Sequence, residues 1–317
     1  MNKIIVRVSK NTNYIYHMLS VSKCGYENEY GEKYKNIHNK TDLEILKKNE
    51  DLLTVTGGSH FGRLYNVFVS TPAAIEEDGI FLNYFEGLKD LLLNNNPINN
   101  YEKYKEVYQT AYAAHRFVVT QQSSMDFYNH LVDIKKSILE ICDVLINNYS
   151  TYEEHIWKRS IQELESKKEL LQKQLSSDIS IKWEQILKHK YPFDKFDVLL
   201  CNSISGGVQA IDIAYNKDVF DSEMDIETIV QYVSHEFGIY ILKDKLDQEK
   251  IDFYSNYDVI ESVTEYFNPM KHIMLVFAND HNNIKELIKN ITSSDPSISI
   301  VEILNYIINK GLIPNNK

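Results

Sequence analysis

Apolar positions along this chain recur mostly at three-to-four spacing, the period of an amphipathic helix, with a few short extended runs between them. Residues 3 to 8 predict a strand, and a tyrosine-rich segment from Asn13 to Tyr34 shows no clean period. Asp42 to Lys48 predicts a short helix. Leu53 to Gly58 and Leu64 to Val69 predict extended chain around a glycine-bearing turn. From Pro72 the pattern turns helical, with stretches at Ala73 to Leu93, Tyr101 to Val119, Met125 to Tyr149, Tyr152 to Leu175 and Ile181 to Lys190. The clusters Asn94-Asn95-Asn96-Pro97 and Ser176-Ser177-Asp178 punctuate that run as loops.

Two strands follow, Phe196 to Asn202 and Gly206 to Tyr215, the second entered through a glycine turn. Ile226, Ile229, Val230, Val233, Phe237, Tyr240 and Ile241 then mark a helix over Asp225 to Leu246, with Asp225 and Glu227 in its first turn, where carboxylates suit the helix dipole. Val259, Ile260, Val263, Tyr266 and Phe267 mark another, stopped by Asn268-Pro269. Lys271 to Phe277, Asn283 to Ile291 and Ser299 to Asn309 read as further helices. The expected fold class is α+β, mostly helical, with a small sheet beside the helices around residues 225 to 268. A boundary near Tyr191-Pro192 would separate an N-terminal region, 1–190, from a second domain, 191–317.

The chemistry concentrates in Ser234-His235-Glu236-Phe237-Gly238-Ile239-Tyr240 and in Ile260-Glu261-Ser262-Val263-Thr264-Glu265-Tyr266-Phe267. His235 and Ile239 lie four apart and so share a helix face, as do Glu261 and Glu265. This pairing resembles the gluzincins, the thermolysin-like and aminopeptidase-like zinc peptidases, in which His-Glu-x-x-His supplies two zinc ligands and a general base. In that superfamily a third ligand, a glutamate, stands some twenty-odd residues on, in a helix often reading Asn-Glu-Gly-x-Ala-x-Tyr-Phe. The resemblance covers residues 196 to 268, about a quarter of the chain. It implies a zincin-like domain with His235 and Glu261 as metal ligands, Glu236 as catalytic base, and Glu265 orienting His235 from behind. It also implies that a strand ahead of the metal helix offers a free edge to an extended peptide.

The departure is at Ile239, which stands at the position of the second histidine and cannot donate to a metal. The implied cofactor, zinc, would thus be held by an incomplete set, with His60, His272 or Asp244 as replacement ligands by residue type alone. The plainer readings are a core histidine bonded to a carboxylate for His235, and ordinary polar residues for Glu236, Glu261 and Glu265. Gly206-Gly207 and Gly57-Gly58-Ser59-His60 read as turns, not phosphate loops, and His115 as structural.

Composition narrows the partners. With 34 basic against 45 acidic residues the net charge is −11, and no dense Lys/Arg stripe occurs, so neither nucleic acid nor a membrane is the expected partner. Cys24, Cys142 and Cys201 are widely spaced and odd in number, which predicts reduced buried thiols. No secretory segment or spanning run is expected, and the compartment inferred is cytoplasmic. The function this supports is a metallopeptidase-fold protein with a degenerate zinc site, acting as a non-catalytic peptide- or protein-binding or regulatory scaffold. The alternatives are an active zinc peptidase with a remodelled ligand set and an unrelated helical protein with a chance motif.

Overall fold

The computed structural model describes residues 3–54, 65–94, 131–175, 177–206, 210–214, 216–251, 257–270, 282–295 and 297–309. In chain order the elements begin with β1 (Ile4–Arg7), α1 (Lys10–Val21), α2 (Glu29–Tyr34), α3 (Lys40–Lys48) and α4 (Glu50–Leu53). A π-helical stretch, Asn66–Ser70, leads into α5 (Thr71–Ala74), followed by α6 (Asp78–Leu93) and α7 (Lys135–Tyr152). Five π-helical residues, Glu153–Trp157, join α7 to α8 (Lys158–Gln174), and α9 (Ser177–Leu187) follows. Then come β2 (Phe196–Cys201), β3 (Ala210–Ala214), β4 (Lys217–Asp221), α10 (Ile226–Gln248), α11 (Tyr257–Phe267), α12 (Asn282–Ser294) and α13 (Ile300–Asn309). The chain is therefore mostly helical with one small open sheet.

That sheet has the order β1-β2-β4-β3, with β2 and β4 parallel and β3 antiparallel to β4. The strand nearest in sequence to α10 is β4, which lies between two neighbours and offers no free edge. Among the described residues the edge strands of the sheet are β1 and β3, and β3 pairs with β4. The sequence pattern misses β4 because Lys217, Asp218 and Asp221 interrupt it, yet Asp218 is buried. Tyr65 to Val69, expected as extended chain, is helical, and the helix expected over Ala73 to Leu93 is broken between α5 and α6. The expected helices at Tyr101 to Val119 and Lys271 to Phe277 lie outside the described residues, as do His60, His115 and His272.

The chain divides into two compact units: residues 1–5, 170–196 and 225–317 in the first, and 6–169 with 197–224 in the second. In the second unit α1 is buried all round, and this explains its lack of period. Its polar side chains are satisfied by backbone carbonyls: Asn11 donates to Ile75, Thr12 to Ala73, Asn13 to Leu200 and Ser20 to Ser203. Tyr14 meets Phe81 and Tyr149 edge-on, at ring separations of 5.9 and 5.0 Å, tying α1 to α6 and α7. Gly31 lets α2 close on α1, since a Cβ there would stand 2.3 Å from the Ser20 carbonyl oxygen.

In the first unit α10 is the central element, packed against α9 and α11, with α11 in turn against α12 and α13. Asp225 caps α10 by accepting from the Thr228 amide at 2.9 Å. Phe237 stacks on Tyr191 and meets Phe196 edge-on. The three cysteines are buried and unpaired. No helix among the described residues is long and apolar enough to cross a membrane.

Candidate functional site

The site lies within the first unit, where α10 and α11 face each other. His235, fully buried near the middle of α10, donates from Nε2 to Glu261 Oε2 of α11 at 2.8 Å. An ionised carboxylate only accepts, so the proton of this bond sits on the imidazole. Burial pulls the His235 pKa down, but the bond to Glu261 and the negative charges of Glu236, Glu261 and Glu265 outweigh it. The pKa is raised above the ordinary histidine value. Glu265 is buried one turn beyond Glu261, while Glu236 is partly exposed beside Tyr232, whose phenol pKa is raised by burial and then by Glu236 and Glu265. The predicted residues His235, Glu236, Glu261 and Glu265 thus form one charged cluster, and Ile239, one turn beyond His235 in α10, is buried.

A second polar network holds the two helices in this register. Trp183 of α9 donates from its indole to Ser234 Oγ at 3.1 Å, and Ser234 donates to Asn268 Oδ1 at 2.7 Å. Asn268 returns from the end of α11 to the Gln231 carbonyl of α10 at 3.1 Å. Gly238 completes the seat, because a Cβ there would lie 2.5 Å from the Trp183 ring. Ser234 and Gly238 are four apart and take the indole on one face, while His235 turns to Glu261 on the next. The supporting roles of Trp183, Ser234 and Gly238 are not signalled by the motif. Asn268, read from the sequence only as a helix stop, is in fact the clasp.

Does this constellation suit zinc? A catalytic zinc takes three protein ligands, and donors at about 2.0–2.1 Å in tetrahedral geometry stand roughly 3.3 Å from each other. Here the imidazole and carboxylate are in direct hydrogen-bond contact, and the helix position four residues on carries a hydrocarbon. Asp244, a candidate replacement ligand, is engaged instead with His189 Nε2 at 2.8 Å and with Gln248. Among the described residues no group of three or more His, Cys, Asp or Glu side chains is placed to hold a metal ion. The donor set present does not fit a catalytic zinc, and no chemical step is derived through one. Comparison of the chain with protein-family models, with curated proteins and with solved structures gives no match.

Proposed function

We propose that this protein is a metallopeptidase-like scaffold whose zinc site has decayed into a buried imidazole–carboxylate bond, and that it binds a peptide or protein segment without cleaving it. The observation that supports the reading is the 2.8 Å contact between His235 and Glu261 across two helices, the two residues that the resemblance to gluzincins assigns as ligands. A chance motif would not require those side chains to meet. Ile239 removes the middle ligand, and without a metal-bound water Glu236 has nothing to activate as a base. An edge strand of the kind β3 forms has the extended backbone geometry with which such a segment aligns.

Incubation with an unfolded substrate such as reduced casein, with and without added zinc, tests the proposal by mass spectrometry of the products. The scaffold reading expects no cleavage in either condition. Cleavage that chelation and Glu236→Gln both abolish would overturn it in favour of a remodelled peptidase.

A further inference from the structure

The second unit contains a cleft of about 1280 Å³, lined by α2, by α8 with the π-helical turn before it, and by the chain leaving β2 and β4. Asn202, Ser205 and Gly206 follow β2, and Glu223 follows β4. These strands are parallel neighbours with Cys201 opposite Asp221, so both leave the sheet at the same end. The cleft therefore stands outside the carboxyl ends of two adjacent parallel strands, the place where open sheets commonly bind ligands.

Local structure shapes its lining. His155 and Ile156 belong to the π-helical turn, and Arg159, Ser160 and Glu163 continue the stripe at four-residue spacing along α8. Helix α2 is anchored from within: the Tyr30 hydroxyl meets Nδ1 of buried His17 at 2.9 Å, and His17 Nε2 meets His38 Nε2 at 2.8 Å. Tyr34 packs against Tyr30 at a ring separation of 4.8 Å.

Charge decides what the cleft takes. It is lined by the carboxylates of Glu27, Glu29, Glu32, Glu163 and Glu223 against the cations of Lys23, Lys33 and Arg159. Glu32 is balanced by Lys23 at 2.7 Å and by Lys35. Lys33 lies over the Tyr34 ring at 4.8 Å, and Glu163 and Glu223 add to the stabilisation of its charge. Glu27, Glu29, Glu163 and Glu223 make no close ion pair with any described residue, which leaves an excess of negative charge. They are too dispersed to grip one ion, since no three His, Cys, Asp or Glu side chains among the described residues are placed to hold a metal. The complementary ligand carries several positive charges spread along its length.

Size and hydrogen bonding narrow the class further. A volume of about 1280 Å³ exceeds the roughly 300–1,000 Å³ of small-molecule pockets. At the end of β2 the Asn202 carboxamide, both donor and acceptor, makes no hydrogen bond to any described residue. A peptide bond offers it a matching carbonyl and N–H, whereas a protonated polyamine offers no acceptor. We propose that this cleft docks a basic, extended segment of a partner protein, with Lys or Arg side chains on the four carboxylates and backbone on Asn202. The site uses no residue of the first unit, so its test is independent of the zinc-site reading.

Fluorescence anisotropy on the whole protein, with a labelled lysine–serine repeat peptide as probe, tests the proposal. The peptide should bind at low salt, and its glutamate–serine counterpart should not. Glu163→Gln/Glu223→Gln should weaken binding of the lysine peptide by about 10-fold, the scale of two exposed ion pairs. Glu44→Gln/Glu286→Gln removes the same charge from exposed positions outside the cleft and should change binding by less than about 2-fold. Asn202→Ala should weaken the peptide by about 5-fold without changing the affinity for spermidine, measured by calorimetry. Equal losses in the two double variants would mean attraction to the protein's overall charge and would overturn the proposal. So would a glutamate peptide that binds as well, or an Asn202→Ala protein whose affinity for the lysine peptide is unchanged.

Discussion

His235 Nε2 and Glu261 Oε2 lie 2.8 Å apart although 26 residues separate them in the chain. Two helices must be set side by side in one register for this to happen, and the Ser234–Asn268 bond supplies that register at the adjacent residue. The charged cluster and its clasp thus form one structural unit. Its parts have separable consequences.

The raised pKa of His235 makes stability depend on pH with a definite sign. The folded state binds this proton more tightly than the unfolded chain, whose histidines titrate near 6.5. The contribution is therefore complete below about pH 6.5 and is lost as pH rises through the higher folded value. Urea unfolding should show the stability advantage of wild type over His235→Gln to be larger at pH 6 than at pH 9. His17 and His38, shifted the other way, are present in both proteins and drop out of that difference. An advantage that is flat or grows with pH would contradict the assignment.

Gly238→Ala places a methyl group within 2.5 to 2.8 Å of three atoms of the Trp183 ring. The indole is also held through its N–H, next to those atoms, by Ser234 and cannot simply swing away. A loss of about 1–3 kcal/mol is expected, as for overpacked cores. A double-mutant cycle with Trp183→Leu should recover most of it, and additive losses would refute the contact.

Ser234→Ala removes the acceptor of the Trp183 N–H and one of two donors to Asn268 Oδ1, which keeps the Met270 N–H. Leaving buried polar groups unsatisfied costs about 1–3 kcal/mol. Because the clasp sets the register of α10 and α11, the His235 Nε2–H resonance should also move toward that of an unbonded imidazole. Loss of stability with that resonance unchanged would separate the clasp from the His235–Glu261 contact.

In the second unit Asp197 is fully buried on β2, accepting from Arg7 of β1 at 2.7 Å, with Lys217 of β4 at 3.9 Å. Arg7→Met leaves that carboxylate with less compensation. Arg7 is one-third exposed, so the expected loss is about 2 kcal/mol, below the range for a fully buried pair. Denaturant unfolding of Arg7→Met beside Arg7→Met/Asp197→Asn would show the second change restoring part of the loss. No restoration would mean that Arg7 acts through packing alone.

How far these features are legible in the sequence depends on where water is. α10 and α11 follow from their apolar period, and the four-residue spacings place His235 and Glu261 on faces that do meet. α1 is hidden because a helix covered on all sides has no polar face, and its Asn11, Thr12, Asn13 and Ser20 serve backbone carbonyls that no local pattern announces. β4 is hidden for a related reason: Lys217 joins an ion cluster with Glu76 and Asp197, so charged residues sit within a strand. The His17–His38 pair joins two separate segments and leaves no motif. Asn268 was visible only as a stop signal because its bonds to Ser234 and Gln231 exist only once the helices pack.

Zinc titration of Ile239→His by calorimetry, beside the wild type, tests the degenerate-site account most directly. Under the account, adding a second imidazole one helical turn from His235 completes a set with His235 and Glu261 and should tighten zinc binding by at least about 100-fold, more than an outer-residue change achieves. A folded Ile239→His protein whose affinity for zinc equals that of the wild type would contradict the account.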